Sequence, residues 1–138
     1  MKLPPRRRAR ILGFQILYSR SHLGLSYAGE LALCKASGLK EDGQDFALAL
    51  AEKAWEARPQ LDPLISGALK EWRQDRLTGS LNALLRLALT ELLFWPETDG
   101  KVILNETVEI AKLHLDKAAI PLLNGVLHSL AQAGNRLP

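Results

Sequence analysis

Residues 80–96 read SLNALLRLALTELLFWP, and the spacing of their apolar side chains decides the fold. Leu81, Leu84, Leu85, Ala88, Leu92 and Trp95 recur at the three- and four-residue intervals of one helix face. Ser80 stands where an N-cap belongs, and Pro96 where a helix must stop. Arg86 and Glu91 interrupt the run, which falls short of the roughly 20 apolar residues a bilayer span needs. The segment therefore reads as a helix that builds the interior of a soluble domain.

The same period recurs outward in both directions. On the N-terminal side, LDPLISGALKEW (61–72) offers Asp62 as N-cap and Pro63 at the first helical position. Ile65, Ala68, Leu69 and Trp72 follow in register. A third helix is expected from Asp42 to Ala57, with Phe46, Leu50 and Ala54 aligned and Pro59 as terminator. A second runs from Tyr27 to Ala36 and stops at Gly38. The first starts near Arg6 after Pro4 and Pro5, buries Ala9, Leu12, Ile16 and Leu17, and ends before Gly24. On the C-terminal side, KVILNETVEIAKLHL (101–115) aligns Leu104, Val108, Ala111 and Leu115. A last helix aligns Leu123, Val126, Leu127 and Leu130 and ends near Gly134. No segment alternates with period two. The expected fold is all-α: a single domain spanning 1–138 with about seven helices. Pro59 marks a seam between an N-terminal sub-bundle (about 6–58) and a C-terminal one (about 62–134).

The head of the first helix, RRRARILGFQILYS (6–19), poses a separate question. Positive charge at a helix N-terminus opposes the macrodipole by about 0.3–1 kcal/mol per charge. Helix stability therefore does not select Arg6, Arg7, Arg8 and Arg10, and an external anion is the expected reason for them. Lys2 joins these four to put five cations and no acid into the first ten residues. Removing those five from the 18 basic residues leaves 13 against 15 acids, a remainder of about −2. A local basic edge on a mildly acidic body is the footprint of a phosphate-binding surface. Arg7, Ile11, Phe14 and Tyr18 form a second stripe opposite the core face, flanked by Arg10. That combination suits phosphate contact with base stacking, and Tyr18 can equally bury its ring and show its hydroxyl.

Catalytic and metal chemistry find little support. Cys34 is the sole cysteine, which excludes an internal disulfide. Neither it nor His22, His114 and His128 have metal-ligand spacing. Cys34 falls in an apolar helix pattern and reads as a packed, inert thiol. Glu52 with Glu56, and Glu106 with Glu109, read as solvated faces or helix pairing groups, and no phosphate-binding glycine loop occurs. The chain reads as a non-enzymatic, unprocessed cytoplasmic protein without cofactor, metal or membrane anchor.

Four motifs together carry a family resemblance. PRRRARILGFQILYS (5–19) resembles the arginine-rich first helix of the bacterial transcription antitermination factor NusB family, including its tyrosine at Tyr18. LNALLRLALTELLF (81–94), KVILNETVEIAK (101–112) and LLNGVLHSLA (122–131) resemble three further helices of that family, leaving about 22–74 unanchored. The resemblance implies two three-helix-like sub-bundles around a shared core. It implies a factor that binds single-stranded boxA RNA with a small-subunit ribosomal protein, NusE, joins elongating RNA polymerase and suppresses termination in ribosomal RNA synthesis. By position, Lys2, Arg6, Arg7, Arg8, Arg10 and Tyr18 match the RNA surface, and Asp75, Leu81 and Asn82 the ribosomal-protein surface. Asn105, Glu106, Glu109, Asn124 and Gly125 match motifs read as structural, the asparagines needing partners inside packed helices.

Both implied surfaces depart from the family pattern. Leu81 stands where an acid is common, and Thr90 where the family has a tyrosine. Before the last helix KAAIPLLNG (117–125) places Ala118 and Leu122 on the RNA side, where an acid and a phenylalanine are usual. Weakened binding of the ribosomal protein is expected, with partial rescue by Leu81→Glu. Two other roles fit the resemblance: a free-standing relative of the domain that precedes certain ribosomal RNA methyltransferases, and a self-associating module whose homodimer hides the arginine face.

Overall fold

The computed structural model describes residues 3–70 and 73–138. Seven α-helices form along it: α1 (Pro5–His22), α2 (Tyr27–Ala36), α3 (Glu41–Glu56), α4 (Arg58–Ala68), α5 (Gly79–Phe94), α6 (Gly100–His114) and α7 (Ala119–Ala133). A short 3-10 turn, Gln74–Arg76, lies between α4 and α5, and no strand occurs among the described residues. Trp72, expected on the α4 stripe, lies outside the described residues, as does Lys2.

α5 is the axis of the fold. It packs against α1, α3, α4, α6 and α7. The sequence pattern assigns it one apolar stripe, yet Ala83, Leu87, Leu89, Thr90 and Glu91 are buried as well. A helix enclosed on most of its circumference needs apolar residues nearly all round. Its N-cap is Thr78, whose hydroxyl accepts from the Leu81 N–H at 3.2 Å, rather than Ser80.

α1 lies along α3, and its stripe Ala9, Leu12, Ile16 and Leu17 is buried as the spacing predicts. Gly13 allows the approach, since a Cβ there would stand 3.3 Å from the Ala47 carbonyl oxygen. α2 has the predicted bounds, with the Ser26 hydroxyl accepting from the Gly29 N–H at 3.1 Å. Its stop is set by Gly38, whose φ of +73° lies in the left-handed region.

Two proline readings change. α3 and α4 are separated by Ala57 alone, and Pro59 sits in the first turn of α4 rather than ending α3. The missing N–H of a proline costs nothing there, because first-turn donors have no intrahelical partner. Pro63 lies inside α4 with its ring exposed. Asp62 is therefore no N-cap: its carboxylate accepts from Arg86 at 2.9 and 2.9 Å and from Gln74 at 3.0 Å.

α6 buries Ile103, Leu104, Thr107, Ile110 and Ala111, while Val108 and Leu115 are only half-buried. The inward face is rotated from the predicted stripe because α6 must meet both α5 and α7. Arg136, beyond α7, donates to the carbonyls of Leu92 and Trp95 at the end of α5 and of Thr98 after it.

Candidate nucleic-acid interface

The four arginines at the head of α1 do not share one environment. Helical geometry turns each by about 100° from the last, so neighbours along the chain face different elements. Arg6 is exposed, its guanidinium lying 3.9 Å from the centroid of the Phe46 ring. Arg8 spends one nitrogen on the Ser37 carbonyl at 2.8 Å and is half-buried. Lys40, exposed at the head of α3, joins them around a concavity of about 510 Å³ that also includes Pro5, Gly38 and Asp42. The sequence reading missed Lys40, because only the turn at Gly38 returns it to the head of α1.

Arg7 turns the other way and donates to Glu106 on α6 at 2.6 and 3.3 Å. That hydrogen bond raises its pKa above the ordinary arginine value, with the Glu109 charge adding to it. Glu106 is thus the counter-ion of Arg7, in keeping with the structural role read for it.

Arg10 corrects the sequence reading. Its side chain is 6% exposed and that of Glu91 2%, and the two meet in a fork at 2.8 and 2.7 Å. A guanidinium spent on a buried carboxylate cannot contact a phosphate outside. The reason for this arginine lies inside the fold, not in an external anion.

The aromatic stripe is divided too. Phe14 is buried and edge-on to His114 at 5.9 Å, whereas Tyr18 is half-buried with its ring 4.8 Å from His22. Tyr18 lies twelve positions from Arg6, or about 18 Å along the helix axis. Ala118 is exposed at the head of α7. Leu122 is half-buried and lines a separate groove of about 320 Å³ with Leu69, Lys70 and Gly125.

The residues matched to a protein-partner surface also diverge. Asp75 is exposed and paired with Arg73 at 2.9 Å. Asn82 accepts from Gln74 at 3.0 Å, part of the network that holds the 3-10 turn to α4 and α5. Leu81 is 4% exposed and belongs to the core. No acid at position 81 could reach a partner without burying its charge, so Leu81→Glu does not rescue partner binding as the sequence suggests.

Other ionisable groups are engaged within the fold. Arg20 ties α1 to α2 and α3 through Glu30 at 2.8 and 2.5 Å and Glu52 at 2.8 Å. Burial, with the charges of Glu30 and Asp45, pushes the Cys34 thiol upward, away from the thiolate a nucleophile requires. Asn105 and Asn124, expected to find partners within packed helices, are both exposed.

This helical arrangement has counterparts. The model of the NusB family matches residues 7–132. The chain belongs to the NusB family. The transcription antitermination protein NusB of Nitratidesulfovibrio vulgaris is 34% identical over 149 residues, covering 96% of this chain and 90% of that one. The NusB of Geobacter sulfurreducens is 34% identical over 128 residues, covering 91% and 93%. Among solved structures, T. maritima NusB superposes with a TM-score of 0.80 at 27% identity, covering 96% of this chain and 93% of that one. A chain from the crystal structure of antitermination factors NusB and NusE in complex with dsRNA gives 0.83 at 25% identity, covering 96% and 99%. The NusB arrangement of seven helices is thus shared by this chain.

Proposed function

We propose that this chain is a non-enzymatic transcription antitermination factor that binds boxA-type RNA together with NusE, joins the elongating polymerase and acts in the cytoplasm. The observation that carries the reading is the basic edge formed by Arg6, Arg8 and Lys40. It stands on a fold shared with a NusB solved in complex with NusE and dsRNA. Lys2 belongs to the same end of the chain. Arg7 contributes whatever its pairing with Glu106 leaves free, and Tyr18 offers a ring for stacking farther along α1. Asp75, within the 3-10 turn, and Asn82, bound to it through Gln74, serve the protein partner. Among the described residues, no helix is long and apolar enough to cross a membrane.

Binding of a boxA-like single strand, measured with and without NusE over a range of salt, tests this reading. A salt-dependent complex that NusE tightens is the expected result, and absence of RNA binding under all conditions would overturn it. Size-exclusion chromatography of the same samples separates it from self-association: a homodimer that hides the arginine face would dissociate on adding RNA or exclude it.

A further inference from the structure

A groove of about 490 Å³ runs between α6 and α7, within the 300–1,000 Å³ or so typical of small-ligand sites. We propose that it receives one unpaired nucleobase of the bound RNA, read by the side-chain amides of Asn105 and Asn124. The proposal rests on the RNA-binding reading above and adds a specificity-determining site to it.

The charges of the groove are balanced. Arg7 is bound by Glu106 at 2.6 Å, and Lys112 stands 3.5 Å from Glu109. Two cations each matched by a carboxylate leave no field that draws in a phosphate, in contrast to the edge around Arg6, Arg8 and Lys40. The groove suits a neutral ring with hydrogen-bonding edges. Val108, Ile120 and Pro121 give such a ring an apolar surface.

Asn105 and Asn124 then require a reason. Each lies in the interior of a helix, where asparagine is a poorer former than alanine. Both are exposed, so neither contributes to the core. The side-chain hydrogen bonds that α6 makes among the described residues go through Glu106, Thr107, Glu109 and Lys112 instead. A carboxamide presents a donor and an acceptor side by side, the pattern that pairs with a base edge. The Glu109 carboxylate can accept from an exocyclic amine. Arg7 forms one wall of the groove and lies in the same first turn of α1 as Arg6 and Arg8 of the basic edge.

The test uses the full chain carrying Asn105→Ala and Asn124→Ala. Alanine is favoured in helices, so the variant is expected to fold, and its thermal midpoint checks this. Two probes are titrated: a short boxA-like single strand, and a strand of equal length and base composition in scrambled order. The wild type is expected to prefer the boxA-like strand. The variant is expected to lose about tenfold in affinity for it, keep its affinity for the scrambled strand, and show an unchanged salt slope. Retained discrimination, or an equal loss for both strands, overturns the base-reading role while leaving the RNA reading intact. If the wild-type protein binds neither strand, the RNA reading itself fails, and this proposal with it.

Discussion

Arg10 and Glu91 stand 81 positions apart in the chain and meet in a two-pronged ion pair inside the fold, joining α1 to the central α5. Together they satisfy each other, but either alone would be a buried charge without a partner. Arg10→Ala is therefore expected to cost about 3–5 kcal/mol of stability in denaturant unfolding. Replacing both residues by apolar side chains of similar volume is expected to recover much of that loss. A stability change below about 1 kcal/mol for Arg10→Ala would mean that the pair is solvated.

Arg6, which is exposed, and Arg8, which is half-buried, are expected to behave in the opposite way. Arg6→Ala with Arg8→Ala removes one hydrogen bond, from Arg8 to the Ser37 carbonyl, but leaves the core intact and relieves charge at the head of α1. If each contacts one phosphate, the pair is expected to flatten the salt dependence of single-strand binding by about 1.4 units, roughly 0.7 per lost contact. Tyr18→Ala is expected to cost about 1–3 kcal/mol of binding with the slope unchanged. A wild-type slope in the double arginine variant would leave the basic edge without a role in binding.

Leu81→Glu tests the core assignment. A carboxylate at this 4%-exposed position loses the packing of leucine and adds an unpaired charge. The expected loss is about 3 kcal/mol or more, read from the denaturant midpoint. A stable variant with improved NusE binding would return position 81 to the partner surface.

Asp62 gives a pH dependence. Burial alone raises a carboxyl pKa, but the hydrogen bonds from Arg86 and Gln74 outweigh it and hold Asp62 below its ordinary value of 3.8. As pH falls through that value, the unfolded chain binds the proton before the folded one does. The Asp62 contribution is therefore full above about pH 4 and lost as pH falls through the lower folded value. Asp62→Asn is expected to lower stability at neutral pH and flatten the acid limb of the unfolding curve. An acid limb identical to wild type would show that the carboxylate is not held by Arg86.

The helices were legible because their signals are local. The stripe of α1 and the bounds of α2 follow from residues three or four positions apart and from Gly38, and no distant contact alters them. Where the local signal is ambiguous, distant partners decide the structure. An Asp-Pro pair can open a helix or lie within one, and Asp62 and Pro63 lie within because Arg86 and Gln74 supply the carboxylate with partners. The all-round burial of α5 was likewise hidden, since periodicity reports one apolar face and not how many neighbours surround a helix.

The sequence by itself determined the all-α class, the basic head of the chain and the motifs of the NusB family. These depend on composition and on intervals shorter than a helical turn or two. Only the tertiary structure decided what each charge does. Arg6, Arg7, Arg8 and Arg10 are nearly indistinguishable as text, yet one rests on Phe46, one pairs with Glu106, one holds the Ser37 carbonyl and one is buried against Glu91. The cause is physical: a side chain's direction turns by about 100° per residue, while its counter-charge can lie anywhere along the chain. Folding alone settles whether a cation is met by its own protein or remains for another molecule.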